Sequence, residues 1–452
     1  IKFQMRSKIT LLLTCLTHFM YAQILSVTPA FPTENDTVTI LYNATEGNGQ
    51  LKNLSGNVYA HAGLITSKST SGTDWKYVQG VWGTADPKVL MTSLGNNIYK
   101  IKYHIKSFYG LPTGETALRL AFVFRNADGS KVGRNSDGSD IFYDLGSNKF
   151  TAKILSPAKP YSFATLNDSI FITASSSTTA KLELWINGSL VKSDSSNQLL
   201  YKYGINSTCV NLVVLKATAA TTVYDTLYIV VPDQNMAVYP AGAVDGITYL
   251  SDSKIRFSIY APGKKHIYVI GDFNNWTPSC TYQMQKTPDG NRFWLEVSGF
   301  TPGKDVGFQY LIDGTLKIAD PYSTVVIDGS NDGYISSAVY PNLYKFPASK
   351  TTGLVSLLSP AQTPYKWQDS SYKRPLKTDL VVYELLIRDF VATHSYKTLK
   401  DTLGYLKRLG INCIELMPVM EFEGNSSWGY NVSYHMALDK YYGRGIYFKA
   451  FI

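Results

Sequence analysis

Four carboxylates near the end of the chain are the first candidates for chemistry: Glu384, Asp389, Glu421 and Glu423. Two carboxyl groups about 5–5.5 Å apart can cleave a glycosidic bond with retention, one as the nucleophile and the other as the acid and then the base. Glu421 and Glu423 are neighbours on one predicted loop, and Asp389 follows Arg388, which favours an ion pair. We therefore predict that none of the four is a catalytic group.

The elements that would position these side chains are a strand, a helix and a second strand. Residues 380–387 and 411–417 are apolar runs of strand type. Between them, residues 398–409 carry leucines on one helical face, namely Leu399, Leu403 and Leu406, and Gly410 suits the left-handed position just past a helix. Short connections make this a βαβ unit with parallel strands. Two such strands cannot cover their own edges or faces, so we expect them to open a larger domain.

Several motifs in register from 379 to 443 resemble the first two βα units of an α-amylase-type catalytic barrel, glycoside hydrolase family 13. They are Val382-Tyr383-Glu384, Arg388-Asp389-Phe390, residues 406–412 and 415–419, and Trp428-Gly429-Tyr430-Asn431. The resemblance implies a (β/α)8 TIM barrel, which needs about 250 residues. It also implies retaining two-carboxylate hydrolysis of an α-glucan such as starch, glycogen or a maltooligosaccharide. Because it places all three catalytic carboxylates beyond Ile452, we expect an N-terminal fragment that is inactive by itself.

The resemblance further implies a sugar-contacting loop. In the family, the tyrosine of the Gly-Tyr-Asn segment stacks under the sugar at the cleavage subsite, so Tyr430 inherits that role. Trp428 and Asn431 are expected to shape the same loop, with a purely structural role as an equal alternative for Trp428. No metal or cofactor is predicted in these residues, although the resemblance allows calcium in the full-length enzyme.

The charge pattern argues against a nucleic-acid partner. The net charge is +9, from 43 Lys and Arg and 34 Asp and Glu, yet no long basic run concentrates it. A nucleic-acid site would need a clustered patch. Cys209, Cys280 and Cys413 lack metal-ligand spacing, and we expect three buried, unpaired thiols.

The start of the chain has the pattern of a signal peptide. Residues 5–8 form a basic start, residues 9–21 an apolar core too short for a membrane span, and Ala22 is a small residue at the cut. We therefore predict a signal peptide with upstream residues over 1–22, export to a secreted or periplasmic location, and no membrane span.

Residues 23–150 and 151–234 show short alternating segments separated by Gly, Asn, Asp and Ser, which predicts two β-sandwiches, the second immunoglobulin-like. The first loosely resembles the starch-binding sandwich modules of secreted bacterial amylolytic proteins. Its aromatic side chains could form a sugar-stacking platform or could fill the core, which is the favoured alternative. They are Trp75, Tyr77, Trp82, Tyr109 and Phe124.

Residues 235–345 carry a second resemblance. The segments 267–276, 293–297, 307–314 and 319–322 are similar to the early-set β-sandwich that precedes the barrel in isoamylases, pullulanases and branching enzymes, related to carbohydrate-binding module family 48. The resemblance gives Trp276 a sugar-stacking role. Gln309, and Leu316 or Lys317, replace two other sugar-binding side chains, so structural pairing with the barrel is favoured over independent sugar binding.

Residues 346–376, with scattered prolines, are predicted to form a linker, and 377–452 the start of the barrel. Two classes of function remain open: an exported α-glucan hydrolase, or a non-catalytic glucan-binding surface protein with an incomplete barrel. Within the enzyme class, a debranching or branching specificity is a further alternative. The length of the intact reading frame distinguishes the two classes.

Overall fold

The computed structural model describes residues 23–136, 138–146, 149–157, 161–368 and 371–452. The chain forms two compact units that divide between Val231 and Pro232. The predicted signal peptide, residues 1–22, lies outside the described residues, and the predicted domain boundaries inside each unit stay predictions. No helix in the described part of the chain is long and apolar enough to cross a membrane.

The first unit begins with a β-sandwich. Its elements are β1 (Leu25–Thr28), β2 (Thr37–Asn43), β3 (Tyr59–Thr66), β4 (Lys76–Gln79), β5 (Thr92–Gly95), β6 (Ile98–His104), α1 (Ile105–Tyr109), β7 (Ala117–Arg125), β8 (Val132–Gly133) and β9 (Ile141–Asp144). One sheet has the order β1-β2-β6-β5, and the other has the order β4-β3-β7-β8 with β9 paired to β7. Alternate residues of β3 and β7, such as Leu64 and Phe122, enter the core between the sheets.

The six strands that follow in this unit form one sheet that folds over its own core. They are β10 (Ala152–Ser156), β11 (Tyr161–Phe163), β12 (Ser169–Ile186), β13 (Ser189–Gly204), β14 (Cys209–Thr218) and β15 (Thr222–Val231). A break in register between Ser175 and Ala180 divides β12, whose first half pairs with β10 and whose second half pairs with β14. Because Ile172 and Leu184 from the two halves enter the same buried cluster, β12 bends around that cluster and gives the predicted sandwich.

The second unit begins with another sandwich. Its strands are β16 (Gly246–Ser251), β17 (Lys254–Tyr260), β18 (Ile267–Gly271), β19 (Gln285–Lys286), β20 (Arg292–Ser298), β21 (Val306–Ile312), β22 (Leu316–Ile318), β23 (Val326–Ile327) and β24 (Val355–Leu358). The sheets are β16-β17-β20-β19 and β18-β21-β24-β23, with β22 paired to β21. The prediction of a linker over 346–376 is wrong at β24, which is buried at every position because it completes the second sheet.

The chain ends with a parallel strand pair and a hairpin. The elements are β25 (Val382–Leu385), α2 (Ile387–Phe390), α3 (Tyr396–Asp401), α4 (Leu403–Arg408), β26 (Cys413–Leu416), β27 (Met420–Phe422), β28 (Val432–Leu438) and α5 (Gly445–Phe451). Strands β25 and β26 run parallel, which confirms the predicted βαβ unit. The predicted single helix is two short helices that meet at Thr402. Strands β27 and β28 form an antiparallel hairpin where only a loop was predicted.

The first strand of the parallel pair is poorly covered. Val381 and Val382 are 48% and 49% exposed, although both are β-branched and apolar. A cluster that includes Leu385, Ile387 and Leu399 covers the other end of the strand. This agrees with the expectation that two parallel strands cannot bury themselves.

The cysteines differ from the expectation. Cys413 is a half-buried free thiol, whereas Cys209 and Cys280 are each disulfide-bonded. The prediction of unpaired thiols is therefore wrong for these two residues, because the spacing of cysteines along a sequence does not show which of them form disulfides.

Candidate functional site

The segment between β27 and β28 carries three of the predicted site residues and follows the C-terminal end of β26. The side chains of Trp428 and Tyr430 are 62% and 66% exposed, and Asn431 is exposed as well. In βα barrels the loops at the C-terminal ends of the strands build the active site. The structure thus brings the three residues together on a solvent-facing turn at that end of β26, while their sugar-binding roles stay predictions.

The backbone of this turn is fixed by Gly429. Its φ is +90°, which favours glycine, and a Cβ atom there would lie 2.0 Å from the carbonyl oxygen of Pro418. The Oγ of Ser427 accepts a hydrogen bond from Gly429 N at 2.9 Å and donates one to the Oδ1 of Asn431. The turn therefore has a defined shape that holds the exposed rings of Trp428 and Tyr430 on either side of a buried glycine.

Arg388 and Asp389 form the ion pair that their order in the sequence favours. Nε and Nη2 of Arg388 donate to the two carboxylate oxygens at 2.7 and 3.1 Å, and Nη1 donates to Ser426 Oγ at 3.4 Å. The hydrogen bonds from Arg388 lower the pKa of Asp389. The carboxylate is therefore ionised and engaged, and the pair links α2 to the exposed turn.

A buried charge cluster, which was not predicted, lies at the base of the same hairpin. Lys440 is 2% exposed and contacts Glu421 and, at 3.3 Å, Asp332. The carboxylate of Asp439 accepts a hydrogen bond from Phe422 N at 3.0 Å. No sequence signal could reveal this cluster, because Asp332 comes from the preceding sandwich and its partners from the hairpin.

Burial and neighbouring charges shift the pKa values of the groups in this cluster. Burial raises the pKa of the Glu421 carboxyl, and Lys440 limits the rise. Burial also raises the pKa of Asp439 and of Asp332. Burial lowers the pKa of Lys440, but Glu421 and Asp332 raise it by more, so that the ammonium keeps its proton. Glu421 is 5% exposed and bound to Lys440, so its role is structural.

The other two carboxylates considered for chemistry, Glu384 and Glu423, are exposed. Glu384 lies in β25, directly opposite Glu415 of β26 in the parallel register. Within the described ranges, no group of three or more His, Cys, Asp or Glu side chains is arranged to hold a metal ion.

Trp276 is not available to a sugar, so its predicted stacking role is wrong. Its side chain is 2% exposed, and its Nε1 donates to Asp272 Oδ1 at 3.2 Å. The indole lies against Gly307, where a Cβ atom would be 3.2 Å from the ring. Asp272 also accepts from Gly307 N at 2.9 Å and from the Tyr344 hydroxyl at 2.7 Å. The turn folds the indole inward because Gly307 leaves room for it.

Gln309, which replaces a sugar-binding lysine of the resembling family, has a structural role. It is fully buried. Its Nε2 donates to the carbonyls of Thr352 and Leu354 at 2.9 and 2.8 Å, and its Oε1 accepts from Thr351 Oγ1 at 2.6 Å. The side chain therefore holds the segment before β24 against β21.

The sandwich of the second unit packs against the hairpin of β27 and β28, which follows the parallel strand pair. Ala437 of β28 lies in one buried cluster with Ala319, and Asn425 Nδ2 donates to the Asn331 carbonyl at 2.7 Å. The buried ion pair of Lys440 joins the same two parts. These contacts agree with the predicted structural pairing between this sandwich and the start of the barrel.

Two family models match the chain. Carbohydrate-binding module 48 (isoamylase N-terminal domain) matches residues 246–323. A domain of unknown function (DUF8578) matches residues 25–132. The first match confirms the resemblance seen in the sandwich of the second unit. The second match lies in the first sandwich, and its description names no function.

Curated relatives match about two-fifths of the chain. A malto-oligosyltrehalose trehalohydrolase from Brevibacterium helvolum is 28% identical over 196 residues, which cover 42% of this chain and 28% of that protein. A 1,4-alpha-glucan branching enzyme GlgB from Picrophilus torridus is 27% identical over 202 residues, covering 44% and 25%. The chain thus spans less than a third of the length of these relatives. They confirm the resemblance to the α-amylase-type family.

Two solved structures match part of the chain with low TM-scores. A putative alpha amylase from Salmonella typhimurium is 25% identical, with a TM-score of 0.35, and the match covers 46% of this chain and 30% of that one. Pullulanase SAP from Group B Streptococcus is 17% identical, with a TM-score of 0.33, and the match covers 66% and 42%.

Proposed function

We propose that this chain is the N-terminal part of an exported α-amylase-type enzyme that hydrolyses an α-glucan. The enzyme class is supported by the module 48 match together with relatives named as a trehalohydrolase and a branching enzyme. Export is supported by the predicted signal peptide alone. The observation that carries the site is the exposure of Tyr430 on a fixed turn at the C-terminal end of β26.

The proposed task of Tyr430 is to stack under one glucose ring next to the bond that breaks. Its exposed ring offers an apolar face of the kind that pyranose rings pack on. During glycoside hydrolysis the ring carbon and oxygen acquire positive charge, which the electron-rich face of an aromatic ring stabilises. Because Gly429 and Ser427 fix the turn, Tyr430 requires little reorganisation to meet the substrate.

In this proposal, the carboxylates that break the glycosidic bond lie in the whole protein but outside residues 23–452. Asp389 is paired with Arg388, and Glu421 is buried against Lys440. Neither can serve as the nucleophile or the acid/base of a retaining mechanism while so engaged. The described chain would therefore contribute substrate contacts, and a polypeptide limited to it would be inactive.

A branching activity is the second candidate, because several relatives are named as branching enzymes. Branching and hydrolysis share the covalent glycosyl intermediate and differ in the acceptor, which is a sugar hydroxyl or water. A non-catalytic glucan-binding protein is the third candidate. The length of the full reading frame distinguishes it from an enzyme.

The test is a product analysis of the protein expressed from its uninterrupted reading frame. Incubated with amylose, a hydrolase raises the concentration of reducing ends, whereas a branching enzyme lowers the iodine absorbance at constant reducing ends. Hydrolysis is the expected result. New α-1,6 linkages without new reducing ends would replace it with branching. No change in either quantity, with amylose and with amylopectin as substrates, would contradict an enzymatic role.

A further inference from the structure

An aromatic row runs across the outer face of the first sandwich. It consists of Trp82, His61, Trp75 and Phe142, whose successive ring centroids are 5.1, 6.0 and 6.3 Å apart. The rings of His61 and Trp75 lie within 29° of one another, while Trp82 stands at 88° to His61 and Phe142 at 76° to Trp75. The row thus has two nearly parallel rings in the middle and one steep ring at each end.

The row is built on the face of the sheet that points away from the core. Ala62 and Leu64 of β3 enter the core, so His61 and Gly63 between them face outward. A Cβ atom on Gly63 would lie 3.0 Å from the indole of Trp75, which shows that this ring lies directly on the sheet.

This placement resolves the alternatives for the aromatic residues of the first sandwich. Tyr109 and Phe124 belong to the core, and Tyr77 packs against it. Trp75 and Trp82 do not belong to the core cluster, and Trp82 is 46% exposed. The favoured alternative, in which these side chains fill the core, is therefore confirmed for Tyr77, Tyr109 and Phe124. The sugar-stacking alternative stays open for Trp75 and Trp82.

The half-exposed indole of Trp82 has neighbours on two sides. The guanidinium of Arg125 lies 5.8 Å from its ring and donates to the carbonyls of Val81 at 2.6 Å and Asn126 at 3.0 Å. A Cβ atom on Gly129 would lie 2.9 Å from Trp82 Nε1. An exposed indole fixed on two sides loses little conformational entropy when a ligand packs on it.

The polar and charged groups around the row already have hydrogen-bonding partners within the sandwich. Arg119, whose guanidinium lies 4.6 Å from the Phe142 ring, binds Asp144 at 2.8 Å. Burial lowers the pKa of His61, and its Nδ1 forms a hydrogen bond of 2.8 Å with the Gly80 carbonyl. The surface therefore offers the exposed indole of Trp82 and three partly exposed rings beside polar groups that already have partners, which suits an uncharged ligand.

We propose that the aromatic row binds an α-glucan chain and that the first sandwich is a carbohydrate-binding module. Glucose rings carry apolar C–H faces that pack on indole and phenyl rings, and their hydroxyls suit a polar rim. The choice of an α-glucan over another neutral polysaccharide rests on the proposed function of the same chain. All four residues of the row lie in the first unit, so glucan binding there does not require the strands and hairpin at the end of the chain.

The test is affinity electrophoresis of the whole chain in gels that contain amylopectin, hydroxyethyl cellulose or no polysaccharide. Every protein tested also carries Tyr430→Ala, which removes glucan binding by the exposed turn in the second unit. Trp82→Ala should weaken retardation in amylopectin by about 3–10-fold, since one aromatic contact contributes ~0.5–1.5 kcal/mol. Trp82→Phe keeps a ring and should retain most of the retardation.

Trp367→Ala is the matched control, because Trp367 is 49% exposed and lies in the other unit. It should leave retardation unchanged. Equal retardation of Trp82→Ala and the parent chain, or no retardation in amylopectin at all, overturns the proposal. Retardation only in hydroxyethyl cellulose also overturns it as an α-glucan site. The electrophoresis measures binding and the product analysis measures catalysis. Failure of the binding proposal can therefore be distinguished from failure of the catalytic proposal.

Discussion

At the scale of single residues, the exposed turn depends most on Gly429. Alanine there would place a Cβ atom 2.0 Å from the Pro418 oxygen at a φ of +90°. We expect Gly429→Ala to lower the free energy of unfolding by about 2–4 kcal/mol, because the turn must open. Gly424→Ala is the control: its φ is +78° with no atom within 4 Å, so only about 1 kcal/mol of backbone strain is expected. Urea unfolding measures both, and equal losses would contradict the account.

The buried Glu421 should make stability depend on pH. Its pKa is raised above the ordinary value of 4.5 by burial, so the folded protein binds this proton more tightly than the unfolded chain does. The free energy of unfolding should therefore fall as pH rises from 4.5 to the raised pKa, by an amount on the order of 1–3 kcal/mol. Glu421→Gln should flatten this decrease, and Glu423→Gln, at an exposed position, should not. A decrease that survives Glu421→Gln unchanged would show that another group causes it.

Residue roles could be predicted where they depend on nearby sequence. The ion pair of Arg388 and Asp389 follows from their adjacency. The burial of Trp276 could not be predicted, because it depends on Gly307, which another strand brings against the indole. The pairing of Lys440 with Asp332 likewise joins two distant segments.

At the scale of elements, Gln309 determines how β24 joins its sheet. Gln309→Met keeps the volume but leaves the carbonyls of Thr352 and Leu354 without their present donor. We expect a loss of about 3 kcal/mol in the free energy of unfolding, because the substitution removes three hydrogen bonds of a fully buried side chain. Gln362→Met, at an exposed position, should change it by less than about 0.5 kcal/mol. Thermal or urea unfolding measures the free energy of unfolding of both variants. Equal losses in the two variants would contradict this role of Gln309.

The elements that were predicted correctly carry a strong local pattern. Strands β25 and β26 lie in runs that are apolar or aromatic except for one glutamate in each strand, and their parallel pairing follows from the helical segment between them. The hairpin was missed because β27 has only three residues and β28 mixes polar and apolar residues without strict alternation. β24 was missed because prolines and small polar residues surround a strand of only three apolar residues and one serine.

At the scale of the whole molecule, residues 23–452 alone should release no reducing sugar from amylose. The turn can stack a sugar, but Glu421 and Asp389 are engaged with Lys440 and Arg388, and stacking supplies no nucleophile. A reducing-sugar assay with the purified chain measures this. Release that disappears in Glu421→Gln or Glu423→Gln would show that the chain contains its own catalytic carboxylate.

The most direct test of the account is the effect of Tyr430→Ala on kcat/KM for a maltooligosaccharide, measured in the protein expressed from the full reading frame. Stacking of a desolvated aromatic face on a cationic sugar contributes ~2 kcal/mol, so a decrease of about 30-fold is predicted. Tyr430→Phe should retain most of the activity. Tyr405→Ala, at a tyrosine that is 51% exposed on α4, should leave it unchanged. An unaltered kcat/KM in Tyr430→Ala would contradict the claim that this turn is the glucan site.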